Sequence, residues 1–219
     1  GGCQAPAYTS IVAGGANACV LHYIANDQPL RDGDLLLIDA AGEFHGYAAD
    51  ITRTFPVNGR FSGAQRDVYE IVLAAQLAAI AAVKPGNTWN TPHDTALRVL
   101  TQGMRDLKLL DGELDGLIEQ EAYKPFYMHK TGHWLGLDVH DAGEYKIDGA
   151  WRALVPGMTL TVEPGLYIRP SEEVPKAFWN IGIRIEDDVV VTSEGCQVLT
   201  SAAPKSIADI EGAMANGTR

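Results

Sequence analysis

The chain repeats one local pattern in both of its halves, in which an acidic residue follows a glycine at the end of an apolar run. In each half one acid stands six residues after a glycine, and a second acid stands four residues after another glycine. Matched spacing in distant segments predicts two related halves that build one site, because turns and helix caps need no such repetition. The four segments are GDLLLID, GYAAD, GMTLTVE and GIRIE, which end at Asp39, Asp50, Glu163 and Glu186.

Carboxylates in apolar β surroundings resist desolvation and repel one another. Taken singly, an aspartate at the end of a strand is more often a turn former or a helix cap than a metal ligand. The repetition weakens that reading, since it places a pair of acids in each half. A strand such as LLLID then needs positive charge near its end, and we interpret the four acids as a candidate metal site.

Hydrophobic patterning predicts an α+β fold with a central, mainly antiparallel sheet. Ser62 is a candidate N-cap for a helix that runs to about Val83, and Pro92 is suited to the first turn of a helix that starts at Thr91. A C-terminal helix is expected near Ser206, where Asp209 completes a pattern like a capping box. The other expected elements are strands at 9–14, 19–24, 34–39, 46–55, 158–163, 165–169, 181–186, 188–191 and 196–200, and helices at about 91–107 and 113–122.

Composition narrows the class of protein. A length of 219 residues with 46% hydrophobic content fits one globular domain, and a net charge of −11 disfavours nucleic acid or an anionic membrane surface as the main partner. No run approaches the roughly 18 apolar residues of a membrane span. The cysteines are odd in number and lack CxxC spacing, which predicts free thiols and a cytoplasmic location. They are Cys3, Cys19 and Cys196.

Histidines cluster in one glycine-rich segment, MHKTGHWLGLDVHD, which contains His129, His133 and His140. Imidazole binds divalent metals and changes charge near neutral pH, so this segment can supply a ligand and proton donors together. The spacing leaves open which histidine does which. Three other histidines are read from their local patterns: His22 is as compatible with a half-exposed strand position as with the cavity, whereas His45 and His93 are expected to be a satisfied turn residue and a surface residue.

Arg184 stands two residues before Glu186, and therefore on the same face of a strand. A buried guanidinium at this position would orient a metal-binding carboxylate through a bidentate bond. An ordinary surface salt bridge is equally compatible with the sequence alone.

These segments together resemble a known family across nearly the whole chain. LLLIDAAGEFHGYAADITRTFPVNG, MHKTGHWLGLDVHD, LTVEPGLYI and NIGIRIEDDVVVT are similar, in this order, to the catalytic domain of the Xaa-Pro aminopeptidases (aminopeptidase P) among the pita-bread metallopeptidases. The resemblance implies a pita-bread fold over 1–219, with a pseudo-two-fold duplicated antiparallel sheet covered by helices.

The resemblance also implies a dinuclear site and a role for each residue. Asp39 would bind one ion, His133 and Glu163 the other, and Asp50 and Glu186 both. His22, His129 and His140 would contact substrate and assist proton transfer, with Glu163 as proton shuttle, Arg184 behind the ligands and Tyr145 near the substrate. The implied substrate is a peptide with proline at its second position.

The expected cofactor is a pair of divalent ions. Carboxylate ligands are hard donors and suit Mn²⁺, with Co²⁺, Zn²⁺ or Fe²⁺ as substitutes. A hydroxide that bridges the two ions would be the nucleophile, because metal binding lowers the pKa of water to about 7 in the mononuclear zinc precedent.

Three alternatives stay open from the sequence. An Xaa-Pro dipeptidase (prolidase) would use the same ligands, and a catalytically weak fragment or a non-catalytic pita-bread binding module would keep the fold without the turnover. The N-terminal domain and first helices typical of the family have no counterpart in this chain. We therefore expect exposed apolar surface, and either a homo-oligomer or a separate N-terminal chain as partner.

Overall fold

The computed structural model describes residues 2–217. Its first half consists of short strands, one 3₁₀ helix and three helices that follow them. The strands are β1 (Ala5–Pro6), β2 (Ile11–Gly14), β3 (Leu35–Asp39), β4 (Gly42–Phe44), β5 (Tyr47–Ala48) and β6 (Thr52–Pro56), and the helices are α1 (Gly63–Ala82), α2 (Thr91–Asp106) and α3 (Leu114–Glu119).

The second half is mostly strands and closes with one helix. They are β7 (Lys146–Ile147), β8 (Ala150–Trp151), β9 (Thr159–Val162), β10 (Gly165–Ile168), β11 (Ile181–Arg184), β12 (Asp187–Val191), β13 (Cys196–Val198) and α4 (Ile207–Asn216).

The acids of each half are carried by a three-stranded antiparallel sheet, with the strand order β2-β3-β6 in the first half and β13-β12-β9 in the second. Strands β1, β4 and β5 form another three-stranded antiparallel sheet in the first half. Strands β10 and β11 form a further antiparallel pair between the two acids of the second half. The predicted α+β class and the antiparallel pairing are therefore confirmed. All four acids of the repeated pattern lie at or beside strand ends, so the sheets deliver their carboxylates to one region.

The helices form a layer over these sheets. Helix α1 starts with a full capping box, because Ser62 Oγ accepts from the Gln65 amide and the Gln65 side chain accepts from the Ser62 amide. Its alanines pack closely, and Ala75 and Ala79 are fully buried in a core that also contains Val162 and Ile183. Burial of this apolar face provides the driving force that holds the layers together.

One predicted strand is wrong, and another is interrupted. Residues 19–24 are not a strand, because Gly15 adopts a positive φ of 55° and Gly15–Cys19 winds into a 3₁₀ helix. The predicted strand 46–55 is interrupted between β5 and β6, where the Asp50 amide donates to the Asp188 side chain instead of to a neighbouring strand. Both departures shape the site, since each turns the chain toward the same cavity.

Within residues 2–217, no helix combines the length and the apolar character that a membrane crossing requires.

Candidate metal centre

One cavity of about 280 Å³ collects nearly every residue that the sequence singled out. It lies where the strand ends of both halves meet the histidine-rich loop. Its lining includes His22, Asp39, Asp50, His129, His133, His140, Glu163, Arg184 and Glu186.

The two acids of the first half face each other across one hydroxyl. Asp39 ends β3, and Tyr8 Oη lies 2.5 Å from Asp39 Oδ1 and 2.7 Å from Asp50 Oδ1. A phenol has one proton, so Tyr8 can donate a full hydrogen bond to only one of these two carboxylate oxygens at a time. Burial and the two negative charges raise the pKa of Tyr8, so the phenol stays protonated. Tyr8 was missed by the sequence analysis; its only signal is its position just before β2, the strand that pairs Ile11 with Asp39.

Each acid of the second half accepts a hydrogen bond from the hydroxyl group of a buried threonine. Thr52 Oγ1 donates to Glu186 Oε2 at 2.6 Å, and Thr161 Oγ1 donates to Glu163 Oε1 at 3.2 Å. Glu186 is only 1% exposed. These contacts fix one oxygen of each carboxylate and leave the other free to bind a cation.

His133 presents one nitrogen to the acids. Its Nδ1 donates to the Trp134 carbonyl at 2.9 Å, which leaves Nε2 directed at Asp50 Oδ2 (3.3 Å) and Glu163 Oε1 (3.4 Å). The preceding Gly132 makes this possible, because a Cβ there would lie 2.1 Å from the Thr161 carbonyl oxygen. A second bond on the far nitrogen is the arrangement that orients a metal-binding imidazole.

Electrostatics at the centre favour a cation. Burial raises the pKa of Asp39 and Glu186, and raises that of Glu163 to about 7. Mutual repulsion among the carboxylates acts in the same direction. For His133, burial lowers the pKa, but the Asp50 and Glu163 carboxylates more than offset this and raise it to about 9.

The donor set fits divalent metal ions. Ligand atoms of Asp50, His133 and Glu186 lie within 4.8 Å of one another, and Asp39 and Glu163 flank this trio through their contacts with Tyr8 and His133. Four carboxylates and one imidazole suit hard or borderline cations. Hydrogen bonds only partly neutralise the negative charge of four neighbouring carboxylates, whereas a divalent ion would neutralise it directly.

The other histidines are placed differently from one another. His129 Nδ1 donates to the Lys130 carbonyl at 2.8 Å, and its Nε2 therefore accepts from the Tyr167 hydroxyl at 2.8 Å. Burial, with help from Arg184, lowers the pKa of His129 to about 3 and keeps it neutral. Tyr167 was not predicted.

His140 and His22 stand nearer the mouth of the cavity. The His140 ring lies edge-on to His133 with 4.5 Å between ring centroids, and burial lowers its pKa with a further contribution from His133. His22 is exposed and belongs to a turn, so the strand reading for it is wrong. It nevertheless lines the cavity.

Arg184 is buried at 4% exposure, so the surface salt bridge considered for it is wrong. It does not bond Glu186 but reaches the other half, where Nη2 donates to Asp39 Oδ2 at 2.7 Å through a single nitrogen. Its Nη1 donates to the Tyr167 hydroxyl at 3.1 Å and its Nε to Thr52 Oγ1 at 3.1 Å. The guanidinium thus links both halves of the site.

One predicted placement differs from the structure. His93 was expected on the surface, but it is only 9% exposed and its Nδ1 lies 2.9 Å from Thr131 Oγ1. Within residues 2–217, Tyr145 is not part of the cavity lining. It stacks parallel to Trp134 with ring centroids 5.8 Å apart, and its role near substrate stays a prediction.

Comparison with known proteins places these residues in a family. Residues 1–193 match the model of metallopeptidase family M24. The chain is 57% identical to a Xaa-Pro aminopeptidase of Haemophilus influenzae over 95% of its length, and 50% identical to that of Escherichia coli over 97%. It spans about half of these relatives, covering 48% of each.

Solved structures agree with this relationship and confirm the predicted pita-bread fold. The fold matches Pseudomonas aeruginosa aminopeptidase PepP with a TM-score of 0.97 and 57% identity, over 98% of this chain and 49% of that one. It also matches zinc-substituted Escherichia coli aminopeptidase P in complex with product, with a TM-score of 0.96 and 49% identity, over 100% of this chain and 49% of that one. The fold, the five converging ligand candidates and these matches lead to one conclusion: the chain belongs to metallopeptidase family M24.

Proposed function

We propose that this chain is the catalytic part of a dinuclear metal-dependent aminopeptidase that hydrolyses the bond between an N-terminal residue and a following proline. One observation carries the proposal: four carboxylates and His133 Nε2 converge on one cavity. The names of the relatives, which are Xaa-Pro aminopeptidases, suggest the substrate.

Five residues would hold the ions. Asp39 would bind one, His133 and Glu163 the other, and Asp50 and Glu186 both. Bound divalent ions would supply Lewis acidity, which lowers the pKa of water and polarises a carbonyl group. Mn²⁺ is the proposed metal because oxygen ligands dominate, with Co²⁺, Zn²⁺ or Fe²⁺ able to replace it.

Proton transfer is assigned to Glu163. A carboxylate that lines the cavity beside the proposed ions can accept a proton from the nucleophile and release it to the leaving group. Its Oε2 lies 3.9 Å from His129 Nδ1, and its Oε1 faces His133 Nε2 at 3.4 Å. The acid therefore lies between two imidazoles in the lining of the cavity.

Substrate contacts are assigned to the histidines around the cavity. His22 is exposed, and His140 lies against His133, so both can meet a peptide that enters from solvent. His129 is neutral and locked by two hydrogen bonds, which makes it a rigid wall that orients the scissile carbonyl. Arg184 holds Asp39 and, through Thr52, Glu186.

A metal assay tests the proposal most directly. Purified protein should contain divalent metal and hydrolyse an Xaa-Pro-Xaa tripeptide; chelation should remove both, and Mn²⁺ should restore both. Glu172→Gln, which removes an exposed acid, is the matched control for Glu186→Gln. Turnover of Xaa-Pro dipeptides alone would favour the dipeptidase alternative, and metal binding without turnover would favour a weak fragment or a binding module.

The cellular setting is a further part of the proposal. Cys3, Cys19 and Cys196 are free thiols in the structure, which supports a reducing compartment such as the cytoplasm.

A further inference from the structure

Asp50 and Glu186 are each followed, two positions later, by a residue that forms a hydrogen bond with the other of these two acids. Thr52 follows Asp50, and Asp188 follows Glu186. Thr52 contacts Glu186, whereas Asp188 contacts Asp50. Two hydrogen bonds, one from each half to the other, thus connect the repeated segments.

Thr52 holds Glu186 at two points. Its Oγ1 donates to Glu186 Oε2 at 2.6 Å, and its carbonyl accepts from the Glu186 amide at 3.1 Å. Arg184 Nε also donates to Thr52 Oγ1 at 3.1 Å. Because a guanidinium can only donate, the single hydroxyl proton must point at Glu186. The orientation of this bond is therefore fixed.

Asp188 holds the main chain of Asp50. Its Oδ2 accepts from the Asp50 amide at 3.0 Å, at the point where the chain leaves the sheet. Asp188 is 3% exposed, and its Oδ1 is buried with no hydrogen-bond partner among the described residues. A buried carboxylate oxygen without a hydrogen-bond donor destabilises the folded state. Asp188 therefore contributes little to stability through Oδ1, and its evident contact is the bond from Oδ2 to the Asp50 amide.

We propose that Thr52 and Asp188 are positioning residues that set Asp50 and Glu186 relative to each other for a shared divalent ion. Neither touches the cavity as a ligand. Each acts through the acid that it contacts, in the way that outer partners tune metal affinity. This inference rests on the metal site of the proposed function.

The Thr52 contact is tested with an isosteric pair. Thr52→Val removes the hydroxyl and keeps the shape, whereas Thr52→Ser keeps the hydroxyl. Titration of metal-free protein with Mn²⁺, followed by calorimetry, should show affinity lowered about 10- to 100-fold in Thr52→Val and restored in Thr52→Ser. A merely structural role would change the melting temperature of the metal-free protein but not produce this rescue.

The Asp188 contact is tested in the same way. Asp188→Leu removes the acceptor for the Asp50 amide, whereas Asp188→Asn keeps an amide oxygen that can accept it. Mn²⁺ affinity should fall by a similar factor in Asp188→Leu and largely return in Asp188→Asn. If Asp188→Leu does not fold, the Thr52 pair decides the question alone.

Two outcomes separate this inference from the proposed function. If wild-type protein binds Mn²⁺ and Thr52→Val binds it equally well, the positioning role is overturned while the metal site stands. If the wild-type protein binds no Mn²⁺, Co²⁺ or Zn²⁺, the metal site itself is overturned, and the positioning role falls with it.

Discussion

Glu186 is the acid whose loss the centre can least accommodate. It is buried at 1% exposure between Thr52 and the other carboxylates. Glu186→Gln removes one negative charge and one metal-binding oxygen while keeping the side-chain shape. We expect affinity for Mn²⁺ to fall by at least the roughly 10- to 100-fold that loss of an outer partner causes, and most turnover to disappear.

Metal analysis and a tripeptide assay on the same preparation check this expectation. Glu172→Gln should behave as wild type in both measurements, because Glu172 is exposed. Unchanged metal content and turnover in Glu186→Gln would remove Glu186 from the site.

His129 separates catalysis from metal binding. Both of its nitrogens are engaged, with the Lys130 carbonyl and the Tyr167 hydroxyl, so neither is free to be a ligand. His129→Ala should therefore keep its metal and lower turnover by about 10²-fold, the order expected when a substrate is misplaced by about 1 Å. Loss of metal in His129→Ala would instead show that the ligand role belongs to His129.

At the scale of elements, the sequence predicted best where local pattern and tertiary environment agree. The apolar run that forms β3 ends at Asp39, and α1 begins after Ser62, as expected. Predictions failed where a distant segment decides the structure. Tyr8 joins two acids that lie 31 and 42 residues away, and no local spacing announces such a contact.

Helix α2 shows the same limit at its first turn. The sequence placed His93 on the surface because an imidazole gains nothing from a helix N-terminus. The helix instead docks this turn on the histidine-rich loop, where His93 meets Thr131, which in turn lies 2.6 Å from the Tyr127 hydroxyl. The five ligand candidates were found because their segments follow a repeated motif, whereas His93 belongs to none.

The buried His93 predicts a pH dependence of stability. Burial lowers its pKa from 6.5 to about 4, with a further contribution from Lys130. Below pH 6.5 the imidazole takes up a proton in the unfolded chain, but in the folded protein it stays neutral down to about pH 4. The contribution of His93 to stability is therefore present above pH 6.5 and is lost as the pH falls toward 4. Between pH 7 and pH 5 this group should lower the free energy of unfolding by about 2 kcal/mol.

Urea unfolding of metal-free protein at the two pH values measures this effect. His93→Gln can keep a hydrogen bond to Thr131 and does not titrate, so its loss of stability should be smaller by the same amount. An equal pH dependence in both proteins would mean that other groups account for it.

The whole molecule combines a shared core with a strongly acidic charge. The main hydrophobic cluster joins Leu35 of the first half to Val162 of the second, and the ligand candidates come from both halves as well. Side chains such as Phe44, Tyr47 and Leu137 are more than half exposed. The predicted partner, whether a second copy or an N-terminal chain, stays a prediction for a chain that spans about half of its relatives.

Metal binding should therefore stabilise the whole fold and not only the site. The net charge is −11, and two divalent ions would reduce it by four while tying together carboxylates from both sheets. Mn²⁺ at about 100 times its dissociation constant should add about 2.7 kcal/mol. For a chain of this size that corresponds to a rise in melting temperature of about 5–10 °C.

Sodium chloride at equal ionic strength should not reproduce the rise, because screening acts on surface charges more than on buried ones. Glu186→Gln should lose most of the rise as well, and an equal shift in that variant would mean that Mn²⁺ stabilises the protein from somewhere other than this centre.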